Sequence, residues 1–146
     1  MLISDVLQVK GRDVARVRTT DSIWTAVRHL ADRRIGALVV EDKWMKLVGI
    51  FSERDFVNAT ATFGTAALDL TVDKLMTASV ITCRPSDRVD AALGVMTLAK
   101  VRHLPVVEAG ELRGIVSIGD LVKHRLDEKE LEANVLLEIA RMRVVA

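Results

Sequence analysis

Short apolar segments and longer stretches of helical spacing alternate along this chain. Strand-like runs fall at 14–19, 37–40, 46–52, 80–85, 104–107 and 112–117. Helices are predicted where apolar residues recur three and four positions apart, at Ile23, Val27 and Leu30 and again at Val89, Leu93 and Met96. The pairs Asp21-Ser22 and Ser86-Asp87 precede these helices as candidate N-caps, and Ser52 and Ser117 begin two further helices. The predicted order of elements is β-α-β-β-α, twice.

The two halves of the chain also match in sequence. VGIFSERDFV at 48–57 matches RGIVSIGDLV at 113–122, and each identical residue recurs 65 positions later. TTDSIWTAVRHL at 19–30 matches PSDRVDAALGVM at 85–96 at a shift of 66. Matching blocks in the same order indicate a duplicated unit of about 60 residues. Because so small a unit buries little surface alone, we expect the two copies to share a core about a pseudo-two-fold axis.

Residues 125–146 carry a separate helical pattern. Leu131, Val135, Ile139 and Met142 lie on one stripe, and we place the charged residues Glu128, Lys129, Glu130 and Glu132 off it. The stripe packs either on its own chain or on a second subunit, and the sequence leaves both possibilities open.

Composition narrows the class of protein. Half of the residues are hydrophobic, which is enough for a packed core. Lys and Arg total 21 and Asp and Glu total 20, which argues against a nucleic-acid-binding protein because those carry a marked basic excess. The single cysteine, Cys83, excludes an intrachain disulfide and fits a reducing, cytoplasmic location. No apolar run is long enough to span a membrane, and no secretory signal pattern is visible at the start.

Each repeat closes on the motif glycine–hydrophobic–x–serine–x–x–aspartate. It reads GIFSERD at 49–55 and GIVSIGD at 114–120. IGAL at 35–38 and RHLPV at 102–106 occupy the middle strands, and KLMT at 74–77 leads into the second repeat. Together these segments resemble the CBS domain pair, or Bateman module, whose repeats close on this motif.

The resemblance implies an α+β fold with two tandem β-α-β-β-α CBS repeats and a C-terminal helix. Repeat 1 is expected at 8–62, repeat 2 at 73–127 and a C-terminal helical tail at 128–146. Because little lies outside the pair, the chain resembles a stand-alone CBS protein. CBS pairs usually form disc-like dimers, so the resemblance also implies a homodimer through the helices after Asp21 and Asp87, with the tail reinforcing it.

The resemblance further implies a regulatory module that senses AMP, ADP, ATP or NAD(H) in clefts between the repeats and acts on an unidentified protein partner. A serine at a helix start lies beside free N–H groups that suit a phosphate, and the aspartate can accept hydrogen bonds from a ribose diol. In the family, the residues just after the first strand of each repeat lie near the adenine, and here these are Thr19 and Thr82. The candidate ligand-binding residues are Ser117, Gly119, Asp120, Arg102, His103, Thr82, Thr77, Ser52, Arg54, Asp55, Thr19 and Gly36.

The two motifs are not equivalent. We expect the second, with Ser117 and Asp120, to hold the ligand, because Gly119 leaves space there and Arg102-His103 supply nearby donors. The sequence does not decide which cleft Arg102 and His103 face. The first motif is expected to form a different site, in which Arg54 supplies the positive charge.

Other interpretations stay open. S-x-x-D is close to a capping box, so each motif can also be purely structural. An S-adenosylmethionine sensor and a dimerisation module without ligand are the alternative functions. We expect no enzymatic activity, since no base, nucleophile and orienting group occur together. We also expect no metal site, because the three histidines lack a ligand spacing.

Overall fold

A computed structural model describes residues 1–142 as two β-hairpins flanked by helices. The elements are α1 (Ile3–Lys10), β1 (Arg16–Arg18), α2 (Ile23–Arg33), β2 (Ala37–Glu41), β3 (Leu47–Ser52), α3 (Glu53–Phe63), a 3₁₀ helix (Gly64–Asp69), α4 (Val72–Leu75), α5 (Val89–Ala99), β4 (His103–Glu108), β5 (Glu111–Ser117) and α6 (Ile118–Arg141). The predicted α+β class with two similar halves is confirmed. Helix α1 was not predicted, because the first repeat was expected to begin only at residue 8.

The two sheets differ by one strand. In the first half β1 and β2 are parallel, and β2 and β3 are antiparallel. The second half, as far as residue 142, has only the antiparallel pair of β4 and β5. The strand predicted at 80–85 is reduced to one bridge between Cys83 and Val106. In the first half Val39 donates its N–H to the Ala15 carbonyl at 3.1 Å. The residue 66 positions later is Pro105, which has no N–H, so the second half lacks this hydrogen bond.

The segment that precedes each repeat packs into the other repeat. In α1, Ile3, Val6 and Leu7 are buried in the core of the second half, whereas Val72 of α4 is buried in the core of the first. Backbone hydrogen bonds repeat this exchange: the Ile3 N–H donates to Asp87 O at 2.9 Å, and the Val72 N–H donates to Asp21 O at 2.8 Å. The reciprocal contacts tie the halves into one unit about a pseudo-two-fold axis.

The starts of α2 and α5 differ. Ser22 is the N-cap of α2, and its hydroxyl accepts a hydrogen bond from the Thr25 N–H at 3.1 Å, as predicted. The predicted cap Ser86-Asp87 is wrong, because α5 begins one residue later with Arg88 as N-cap and no side-chain capping bond. The Asp87 carboxylate instead accepts from the Arg84 N–H at 2.7 Å, which closes the preceding turn.

Helix α6 is the last helix of the second repeat and the C-terminal helix at once. It continues without a break to Arg141, so the tail expected at 128–146 is not a separate element, and 143–146 lie outside the described residues. Its predicted stripe consists of Leu131, Val135, Ile139 and Met142, which are 48–74% exposed. The stripe therefore does not pack on its own chain. None of the described helices is long and apolar enough to cross a membrane.

Candidate functional site

A cavity of about 220 Å³ opens where the start of α3 faces the loop before β4. The two sides belong to different repeats, so the cavity forms only when the halves pack together. Its apolar wall consists of Ile50, Val80, Ile81 and Val101. Its polar rim includes Gly36, Ser52, Arg54, Asp55, Thr77, Lys100, Arg102 and His103.

The first S-x-x-D motif both caps α3 and faces this cavity. Asp55 Oδ2 accepts hydrogen bonds from the Ser52 N–H at 2.9 Å and the Ser52 hydroxyl at 3.1 Å. Asp55 Oδ1 accepts from the Thr77 hydroxyl at 3.1 Å. Both motifs therefore form capping boxes, and whether either also binds a ligand stays a prediction. The contacts hold the Asp55 carboxylate at the rim, where it can accept a further hydrogen bond.

Three cations surround the cavity. Arg54 comes from the first repeat, and Lys100 and Arg102 come from the second. Within residues 1–142 none of the three forms an ion pair. The carboxylates that line the same cavity are two, Glu53 and Asp55. The site therefore carries an excess of positive charge, which favours an anionic group.

His103 lies at the junction of the repeats. Its ring packs against Gly36, where an added Cβ would lie only 3.1 Å from His103 Cε1. Burial lowers the pKa of His103 from its usual value, and Lys10 lowers it further, while Asp120 and Glu53 act in the opposite direction. The imidazole is therefore neutral at pH 7 and can accept or donate one hydrogen bond at the cavity wall.

The second S-x-x-D motif has a different environment. Asp120 Oδ2 accepts from the Ser117 N–H at 2.8 Å and forms an ion pair with the Lys10 ammonium at 2.5 Å. Burial raises the pKa of Asp120, but the hydrogen bonds from Lys10 and Ser117 outweigh it and lower the pKa below its usual value. The carboxylate is thus charged and already paired within the chain.

Arg102 and His103 line the cavity of the first motif. His103 also pairs with Ser117 between β4 and β5 and is affected by the charges of Lys10 and Asp120, so it lies between the two motifs. The Arg102 carbonyl accepts a hydrogen bond from the Ile118 N–H at 2.8 Å, which ties the backbone to the start of α6. Gly36, the equivalent residue of the first repeat, accepts the same bond from the Glu53 N–H at 3.0 Å. Ligand binding by Ser117 and Asp120 stays a prediction.

Thr19, Thr82 and Gly119 do not line this cavity. Thr82 lines a separate cavity near the hairpin ends, with Arg16 and Glu41. Thr19 donates its N–H to Glu41 O at 3.1 Å, and its carbonyl accepts from the Asp73 N–H at 3.2 Å. Gly119 lies in the first turn of α6, on the second motif.

Sequence reasoning missed several residues of the cavity. They are Ile50, Glu53, Ser79, Val80, Ile81, Lys100 and Val101. Val80 and Ile81, which belong to the apolar wall, come before the bridge between Cys83 and Val106. Pro105 was the available signal, because it has no N–H to donate to the Ile81 carbonyl.

Comparison with known proteins identifies a family. A model described as "CBS domain" matches residues 3–62 and 72–127. The chain is 44% identical to the CBS-domain containing protein ATU1752 from Agrobacterium tumefaciens, covering 85% of this chain and 92% of that one with a TM-score of 0.83.

Two similar proteins have structures in complex with ligands. The CBS domain protein PAE2072 from Pyrobaculum aerophilum, complexed with AMP, is 29% identical and covers 91% of this chain and 99% of that one, with a TM-score of 0.77. The CBS domain pair of protein MJ0100, in complex with 5-methylthioadenosine and S-adenosyl-L-methionine, is 26% identical, covers 88% and 98%, and has a TM-score of 0.78. Both ligand sets contain an adenosine group.

Proposed function

Because this chain belongs to the CBS domain family, we propose that it is a regulatory module that binds an adenine nucleotide in the cavity beside Ser52 and Asp55. The observation that carries the proposal is the group of three cations, Arg54, Lys100 and Arg102, around a helix start that holds Ser52 and Asp55. A helix N-terminus and unpaired cations together favour a phosphate.

Each part of a nucleotide has a matching part of the cavity. The apolar wall suits the base, and Asp55 can accept a hydrogen bond from a ribose hydroxyl. Within the described chain no backbone N–H donates to the Ile81 carbonyl, since the residue that would do so is Pro105. That carbonyl is therefore available as an acceptor for the amino group of adenine.

The charge of the cavity distinguishes between the ligand classes found in related structures. AMP carries a phosphate, whereas S-adenosylmethionine carries a positively charged sulfonium. Three cations against two carboxylates favour the phosphate of AMP and disfavour the sulfonium of S-adenosylmethionine. We therefore propose AMP, ADP, ATP or NAD(H) as the ligand, ahead of S-adenosylmethionine.

Isothermal titration calorimetry with these nucleotides and S-adenosylmethionine tests the proposal. We expect at least one nucleotide to bind more tightly than S-adenosylmethionine, with an affinity that falls as salt is added because the phosphate is held by charge. Prolonged incubation should leave the bound nucleotide unchanged, as expected for a sensor. Tighter binding of S-adenosylmethionine, or no binding of any member of the panel, would contradict the proposal.

We also propose that the protein is a homodimer, in which the exposed stripe of α6 contacts a second copy. An apolar stripe of this length on a free helix is stable only when it is covered. Trp24 on α2 and Leu98 on α5, which are 52% and 87% exposed, extend the apolar surface on the helices expected at the contact.

Light scattering should give twice the monomer mass, and deletion of 128–146 should weaken the dimer without unfolding the repeats. A monomeric full-length chain would contradict this.

A further inference from the structure

The side chain of Lys10 contacts the second motif. We call the surface at Asp120 and Ile115, which corresponds in the repeat to the cavity at Asp55 and Ile50, the second cleft. The Lys10 ammonium donates to Asp120 Oδ2 at 2.5 Å and to the Ile115 carbonyl at 2.8 Å. Both acceptors belong to the second repeat, more than a hundred residues from Lys10 along the chain. Lys10 and Asp120 side chains are only 32% and 27% exposed, so water screens this pair incompletely.

The first cleft, which is the cavity at Asp55, has the same two acceptors, but no cation of residues 1–142 is bonded to them. There the Ile50 carbonyl accepts from the Thr77 N–H at 2.8 Å, and the Asp55 carboxylate accepts from the Thr77 hydroxyl at 3.1 Å. Ile50 and Asp55 correspond to Ile115 and Asp120 in the repeat. Thr77 is neutral, so Asp55 keeps its full negative charge for a ligand, whereas Lys10 neutralises Asp120.

Lys10 is also held in place by the helix that carries it. Ile3, Val6 and Leu7 of α1 are buried in the core of the second half. Leu7 lies over Gly114 so closely that an added Cβ there would meet its Cδ2 at 2.8 Å. Because α1 is anchored in this way, Lys10 cannot leave Asp120 by a movement of the whole helix without exposing apolar surface.

We propose that Lys10 acts as an internal occupant of the second cleft, so that each chain binds one adenine nucleotide, at Asp55, and not two. The proposal rests on the proposed function, because it assumes that the adenosine class of ligand suits this kind of cleft. A ribose hydroxyl that approaches Asp120 must displace an ammonium from a charge-assisted hydrogen bond, whereas at Asp55 it meets an unneutralised carboxylate.

Calorimetric titration of AMP into wild type, Lys10→Ala and Lys10→Arg tests this. Lys10→Ala removes the cation and its volume at a position where alanine is a good helix former, and Lys10→Arg keeps the cation. We expect one AMP per chain for wild type and Lys10→Arg, and two for Lys10→Ala. Adding Asp120→Ala to Lys10→Ala should remove the second AMP, which shows that the new site is this cleft. Melting curves confirm that each variant is folded.

The possible outcomes separate this inference from the proposed function. One AMP in both wild type and Lys10→Ala, or two in wild type, overturns the role of Lys10 and leaves nucleotide binding intact. No AMP in wild type but one in Lys10→Ala contradicts the proposed site at Asp55 and supports the role of Lys10. No AMP in any variant overturns both.

Discussion

Replacement of Asp55 by alanine is expected to weaken AMP binding about tenfold to a hundredfold, the loss that one charge-assisted hydrogen bond carries. The expectation follows from the position of the Asp55 carboxylate at the rim of the cavity, where, among the described residues, Oδ1 accepts a hydrogen bond only from the Thr77 hydroxyl. Asp55→Asn keeps the shape and one acceptor oxygen, so its effect should be smaller. Calorimetric titration of AMP into each variant measures the change.

Asp120→Ala provides a matched control for this prediction. Both aspartates close a capping box, so each alanine variant should melt at a lower temperature, and Asp120→Ala should lose more stability because it also breaks the ion pair with Lys10. Only Asp55→Ala should lose affinity. A loss confined to Asp120→Ala would instead place the ligand at the second motif, as the comparison of the two motifs first suggested. If both variants bind AMP with the affinity of the wild type, the two motifs have a purely structural role.

The sequence predicts the repeated architecture well because the same apolar spacing occurs twice. Apolar positions that recur at a constant shift must bury the same faces in both copies, so the order of elements follows from one copy to the next. The missing strand near Cys83 is the exception. One residue, Pro105, removes one hydrogen bond there, and spacing within 80–85 does not reveal this, because the bond is made to another strand.

The composition of the clefts could not be predicted in the same way. Arg102 comes directly before β4 of the second repeat, and its carbonyl is hydrogen-bonded to the start of α6. It nevertheless lines the cavity of the first motif. Lys10 is 110 residues from Asp120, and no local pattern connects them. The Lys10 contact depends on the packing of α1 into the second repeat, and the position of Arg102 depends on the packing of the two repeats against each other, so neither is a property of one repeat alone.

Gly49→Ala is expected to destabilise the protein by about 1–3 kcal/mol, the usual cost of inserting a methyl group into a packed interior. A Cβ at Gly49 would lie 2.5 Å from Met76 Sδ and 3.1 Å from the Thr77 carbonyl. The sulfur can move, but that carbonyl is held by a hydrogen bond from the Ile50 N–H at 2.9 Å. Relief of the clash therefore shifts Thr77, which donates to Asp55, so AMP affinity should fall together with stability.

Gly119→Ala should have the opposite effect on stability. Gly119 lies in the first turn of α6, and an added Cβ would meet only Ser117 Oγ, at an ordinary contact distance of 3.6 Å. Alanine there reduces the entropy of the unfolded chain and should stabilise the fold by about 0.5–1 kcal/mol, with AMP affinity unchanged. Urea unfolding of the two variants measures both free energies. A Gly49→Ala protein as stable as wild type would show that the 76–77 segment is free to move, and Thr77 would then not be a fixed partner that positions Asp55.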